Sequence, residues 1–68
     1  MTNVLNSIDV LINEEDIEEV YKGLRQFKGT YYINIERGAE GENYAEIFFC
    51  ATSLEELAKV ENFFADFV

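Results

Sequence analysis

The sequence has no histidine, a single cysteine and only five Lys and Arg among its 68 residues. Without His, the chain lacks the usual acid/base of neutral pH and the commonest metal ligand. The lone Cys50 excludes an internal disulfide and a cysteine-based zinc site. Its place in a strand-like run suits a reducing compartment and a buried structural thiol. Against those few bases stand 14 Asp and Glu, for a formal charge of −9. Such a surface repels phosphate, which excludes direct nucleic-acid binding. Long apolar runs are missing as well. The most apolar one, residues 45–51, contains Glu46 and is far too short to span a bilayer. Met1 to Leu5 carries no positive charge and Asp9 interrupts the only apolar stretch nearby, so no signal peptide is expected. A soluble, cytoplasmic protein with no membrane partner is the expectation.

Apolar residues nevertheless make up 49% of the chain and aromatics 15%. That is too much for an acidic disordered tail and enough for a single domain over residues 1–68. Helical spacing is clearest from Asn13, a capping residue type with Asp16 three positions on. Ile17, Val20, Tyr21, Leu24 and Phe27 follow, and Gly29 closes the run, predicting a helix over 13–28. Glu14, Glu15, Asp16, Glu18 and Glu19 fill its first half and Lys22, Arg25 and Lys28 its second, which complements a helix dipole. Gly23, inside that helix, costs about 1 kcal/mol relative to Ala.

Residues 30–51 alternate as a β-hairpin. Opposing Ile33 to Ile47 and Tyr31 to Phe49 gives one apolar face, while the other pairs Tyr32 with Phe48 and Asn34 with Glu46. Residues 38–42 are then the loop. The last helix opens at Ser53 with Glu56 three positions on, a capping box. Leu54, Leu57, Ala58, Val60, Phe63, Phe64, Phe67 and Val68 cover more than one narrow stripe of it. Residues 3–12 fit two templates. Val4, Leu5, Ile8, Leu11 and Ile12 make a helical stripe, whereas Ile8, Val10 and Ile12 make a short β-branched strand. The helix accounts for more positions, so the expected order is α-α-β-β-α, with β-α-β-β-α as the alternative. Either is a two-layer α+β domain, an antiparallel hairpin packed against helices.

Catalytic chemistry finds little footing. Glu36 and Glu46 lie near each other on the outer hairpin face, but a paired-carboxylate mechanism needs a cleft that a hairpin surface does not offer. Cys50 has no His to activate it. The acids of helix 13–28 lack the alternating loop and central Gly of an EF-hand, and no phosphate loop or dinucleotide fingerprint is present. The chain is expected to be no enzyme, with no cofactor and no metal site.

Helix 13–28 offsets much of its own charge. The rest is one-sided: Glu36, Glu40, Glu42, Glu46, Glu55, Glu56, Glu61 and Asp66 meet only Arg37 and Lys59. Net charge of this kind serves solubility, and it also suits docking on a basic protein surface built for phosphates. In that reading Glu36, Glu40, Glu42 and Glu46 stand in for phosphates, and Tyr32, Tyr44 and Phe48 on the same outer face are the anchors. Those rings pack, alternatively, beneath another element such as the N-terminal segment.

A compact acidic chain with these four glutamates on a hairpin, between helix 13–28 and helix 53–68, resembles the small phage-encoded anti-CRISPR proteins. The likeness lies in size, charge and element order over the whole chain, and no family site residue is carried over. Uracil-DNA glycosylase inhibitors and anti-restriction mimics are similar on the same grounds. The resemblance implies a non-enzymatic nucleic-acid decoy whose partner is a nucleic-acid enzyme, such as a CRISPR effector, in the host cytoplasm. The rival reading is a homodimer or small subunit that uses Val60, Phe63, Phe64 and Phe67 as its seam.

Overall fold

A computed structural model describes residues 6–67 of the chain. Period-two alternation organises it. Ala45, Ile47 and Phe49 point one way from strand β3 (Asn43–Cys50) and are fully buried. Strand β2 (Thr30–Arg37) pairs with β3 antiparallel in the register read from the sequence, Ile33 opposite Ile47 and Tyr31 opposite Phe49. The other edge of β3 takes strand β1 (Ser7–Asn13), also antiparallel, so the sheet order is β1-β3-β2. Helices α1 (Ile17–Leu24) and α2 (Leu54–Ala65) supply Val20, Leu24, Val60 and Phe64 to the same buried cluster. The result is a small α+β domain with a three-stranded antiparallel sheet and two helices.

The helix expected over residues 3–12 is therefore a strand in its described part, and Val4 and Leu5 lie outside the described residues. Two physical reasons decide it. Ile8, Val10 and Ile12 are β-branched and fit a pleated surface, where they stand opposite Phe49, Ile47 and Ala45. The free edge of β3 also offers a row of backbone groups that need partners. Helical spacing over one segment carries no information about that edge.

The helix expected over 13–28 is shorter too. A 3-10 turn at Glu14–Asp16 precedes α1, and after Leu24 the chain tightens into i→i+3 bonds through Phe27. Asn13 makes no side-chain cap. It is the last residue of β1, and the Glu14 carboxylate beside it accepts the backbone N–H of Asn43 instead, at 3.2 Å.

Ser53 caps α2 as its sequence indicates, its hydroxyl accepting the Glu56 N–H at 3.0 Å. The Glu56 side chain turns outward from that box. It accepts Thr52 N–H at 2.8 Å, the Thr52 hydroxyl at 2.9 Å and Lys28 N–H at 2.6 Å, with Gly29 N–H at 3.4 Å. One carboxylate thus ties the α1–β2 connection to the β3–α2 connection. The Thr52 N–H first, then Lys28, the Thr52 hydroxyl and Gly29, hold its pKa below the ordinary 4.5.

The aromatic face of α2 is divided. Val60 and Phe64 of the seam Val60, Phe63, Phe64 and Phe67 are fully buried within the domain, and Phe63 and Phe67 are half-buried. Phe63 and Phe67 pack partly against the core, and Val68 lies outside the described residues. Phe63 meets Phe27 edge-on at 5.7 Å between centroids. Its ring also lies where a Cβ on residue 23 would be, so the glycine in α1 leaves the room that a side chain of α2 fills.

Two outcomes are expected. Gly23→Ala should destabilise the domain by about 1–3 kcal/mol through overpacking, despite a helix-propensity gain of about 1 kcal/mol. Urea unfolding measures it, and Phe63→Leu should recover part of the loss. Glu56 binds protons less readily folded than unfolded, so its contribution is complete above pH 4.5 and lost as pH falls through its lowered folded pKa. Urea midpoints measured across that acid range should show a smaller pH dependence in Glu56→Gln than in the parent protein.

Candidate binding face

The inward face of the sheet is covered by α1 and α2; among the described residues no element covers the outward face. Register assigns its contents. β3 contributes Tyr44, Glu46, Phe48 and Cys50, β2 contributes Thr30, Tyr32, Asn34 and Glu36, and β1 contributes Ser7, Asp9, Leu11 and Asn13. Across the strands these form rows, Asp9–Phe48–Tyr32, then Leu11–Glu46–Asn34, then Asn13–Tyr44–Glu36.

Five of the seven residues singled out for partner binding share this face: Glu36, Glu46, Tyr32, Tyr44 and Phe48. Tyr32 is 67% exposed and Phe48 42%, while Tyr44 is half-buried. The described part of the N-terminal segment does not roof the rings, because β1 joins β3 edge to edge. Glu40 and Glu42 lie off the face, in the loop beyond its Tyr44 end. Glu42 is a fastener there: its carboxylate accepts the Glu40 N–H at 3.1 Å, and its carbonyl accepts the Gly38 N–H at 2.7 Å. Gly41 turns the loop at φ +86°, a conformation that favours glycine. Cys50, expected as a buried thiol, is exposed. Its parity is that of Phe48 and Glu46, on the side of the sheet that no element covers among the described residues.

The electrostatics of the face centre on Glu46. Its pKa is raised above the ordinary 4.5, first by a side-chain hydrogen bond with Asp9, then by the Asp9 charge, partial desolvation and the Glu36 charge. Glu36 itself accepts a hydrogen bond from the Asn34 amide at 3.1 Å. Asp9 and Leu11, the latter 58% exposed, are members of the face that the sequence reading missed. Their signal was the alternation of Ser7, Asp9, Leu11 and Asn13 with Ile8, Val10 and Ile12, hidden once the segment is read as a helix.

A hollow of about 310 Å³ at the Cys50 end of the face is lined by Asn6, Ser7, Phe48, Cys50 and Ala51, with none of the face's carboxylates among them. A cleft of about 380 Å³ beside the start of α2 is lined by Lys28, Thr52, Ser53 and Glu56 among others. Its Thr52 and Lys28 amides are already taken by Glu56. Among the described residues, no group of three or more His, Cys, Asp or Glu is placed to hold a metal ion. No described helix is long and apolar enough to cross a membrane.

The proton affinity of Glu46 is directly measurable. Carboxyl NMR titration should place its midpoint above 4.5, and Asp9→Asn should lower it more than Glu36→Gln does.

No protein-family model matches the chain, and comparisons with curated proteins and with solved structures likewise give no match.

Proposed function

We propose that the protein is a non-enzymatic acidic binding module. It docks the open face of its sheet on a basic surface of a nucleic-acid-processing protein, where its carboxylates occupy positions meant for phosphates. The observation that carries this reading is the meeting of Glu36, Glu46 and Asp9 with Tyr32, Tyr44 and Phe48 on one uncovered face. Carboxylates steer association and oppose wrong partners but contribute little net affinity at an exposed surface. Exposed aromatic rings supply desolvated contact area, the usual source of interface hot spots. A face holding only acids would suit solubility, and one holding only rings would invite self-association. Interleaving fits a charged target that must also be gripped. The overall charge of −9 extends the attraction beyond the contact itself.

Competition tests the proposal. Labelled duplex DNA is bound to nucleases with basic grooves, and anisotropy follows its release as the protein is added. Displacement should weaken about tenfold or more between about 50 and 200 mM salt. It should be lost in the combined Glu36→Lys, Glu46→Lys variant. Displacement indifferent to salt, or undiminished in that variant, overturns the reading.

A further inference from the structure

The face proposed for docking has a centre whose chemistry is narrower than negative charge. Glu46 stands on the middle strand with Tyr44 and Phe48 before and after it on the same side, and Asp9 stands diagonal to it on β1, opposite Phe48, near enough for its carboxylate to raise the Glu46 pKa. Glu36 adds its charge from β2. No outward position of the three strands holds a base. The five bases of the chain lie elsewhere. Lys22 pairs with Glu18 at 3.5 Å, and Arg25 lies over the Tyr21 ring at 5.7 Å. Lys28 and Lys59 line the cleft at α2, and Arg37 follows the inward parity of Ile33 and Ile35. Two neighbouring carboxylates with no base among the outward positions of the strands share a proton or take a cation from outside.

The surroundings select which cation. Phe48 and Tyr32 are direct cross-strand partners in the row next to Glu46, and both are exposed. A guanidinium is planar, presents a fork of N–H donors that spans neighbouring carboxylate oxygens, and stacks on aromatic faces with little hydration to lose. An ammonium is a compact, strongly hydrated point charge that exploits the rings less. We infer, resting on the docking reading above, that this centre is a seat for an arginine side chain of the partner. The guanidinium donates to Glu46 and Asp9 and lies against Phe48 and Tyr32.

The test titrates the isotope-labelled full chain with two synthetic peptides of equal length and charge, one built on arginine and one on lysine, with glycine spacers. The arginine peptide should bind about tenfold more tightly, with shifts centred on Asp9, Tyr32, Glu46 and Phe48. Tyr32→Thr with Phe48→Thr should erase the preference while leaving salt-sensitive binding, and Glu46→Gln should weaken both peptides. If the double change disturbs the spectrum of the folded domain, Tyr32→Thr alone on the edge strand serves, and a reduced preference supports the seat. Equal affinity for the two peptides at this face overturns the arginine seat and leaves the docking reading standing. Absence of salt-sensitive binding at the face, with either peptide, overturns both.

Discussion

The inward side chains of β3, Ala45, Ile47 and Phe49, are the surface against which the rest of the domain is placed. β1 and β2 flank them with Ile8, Val10, Ile12, Tyr31 and Ile33, and the helices press Val20, Leu24, Val60 and Phe64 onto the same side. A domain this small buries only about 60% of its unfolded surface, and it concentrates that burial on one face of one sheet. Aromatic contacts finish the layer: Phe49 meets Phe27 edge-on at 5.8 Å and stacks on Tyr31 at 6.2 Å. The uncovered outward face is the counterpart of this economy. Nothing in the described residues competes with a partner for it.

The acids divide by what they touch. Glu56 spans two connections, Glu14 holds the start of β3, and Glu42 closes the hairpin loop, each through backbone N–H groups. These carboxylates do structural work that an apolar residue could not, since the donors they satisfy lie in the connections and at the first residue of β3. Asp9 and Glu46 have the opposite character, because they stand diagonally on one face as like groups and the Asp9 carboxylate raises the Glu46 pKa. A net charge of −9 therefore contains acids already committed to the fold and acids available to another molecule.

How much of this could be read from the chain depends on whether the deciding partner was local. The hairpin register was legible because both strands and their loop are contiguous, and a slip of one residue would bury Glu46. The Ser53 cap was legible for the same reason. The N-terminal strand was not, since its partner is the far edge of β3 and its own spacing satisfies a helix equally well. The burial of Phe64 and Val60, the role of Gly23 beneath Phe63, and the reach of Glu56 to Lys28 all depend on elements meeting across the fold. Asp9 inherited the error of its strand. It lies on the candidate face only because β1 is a strand.

The order of pairing has a kinetic side. β2 reaches β3 through the loop of residues 38–42, whereas the end of β1 at Asn13 must find Tyr44 across α1 and all of β2. Closing the longer loop costs more chain entropy, and the edge it docks on exists only once the hairpin has formed. β1 is accordingly the strand added to a template. It is also the one whose departure would strip Asp9 and Leu11 from the outward face while leaving Tyr32, Glu46 and Phe48 in register. A molecule gripping Asp9 together with Glu46 would bridge that seam and favour the closed sheet by mass action. Recognition and the completion of folding would then be a single linked equilibrium.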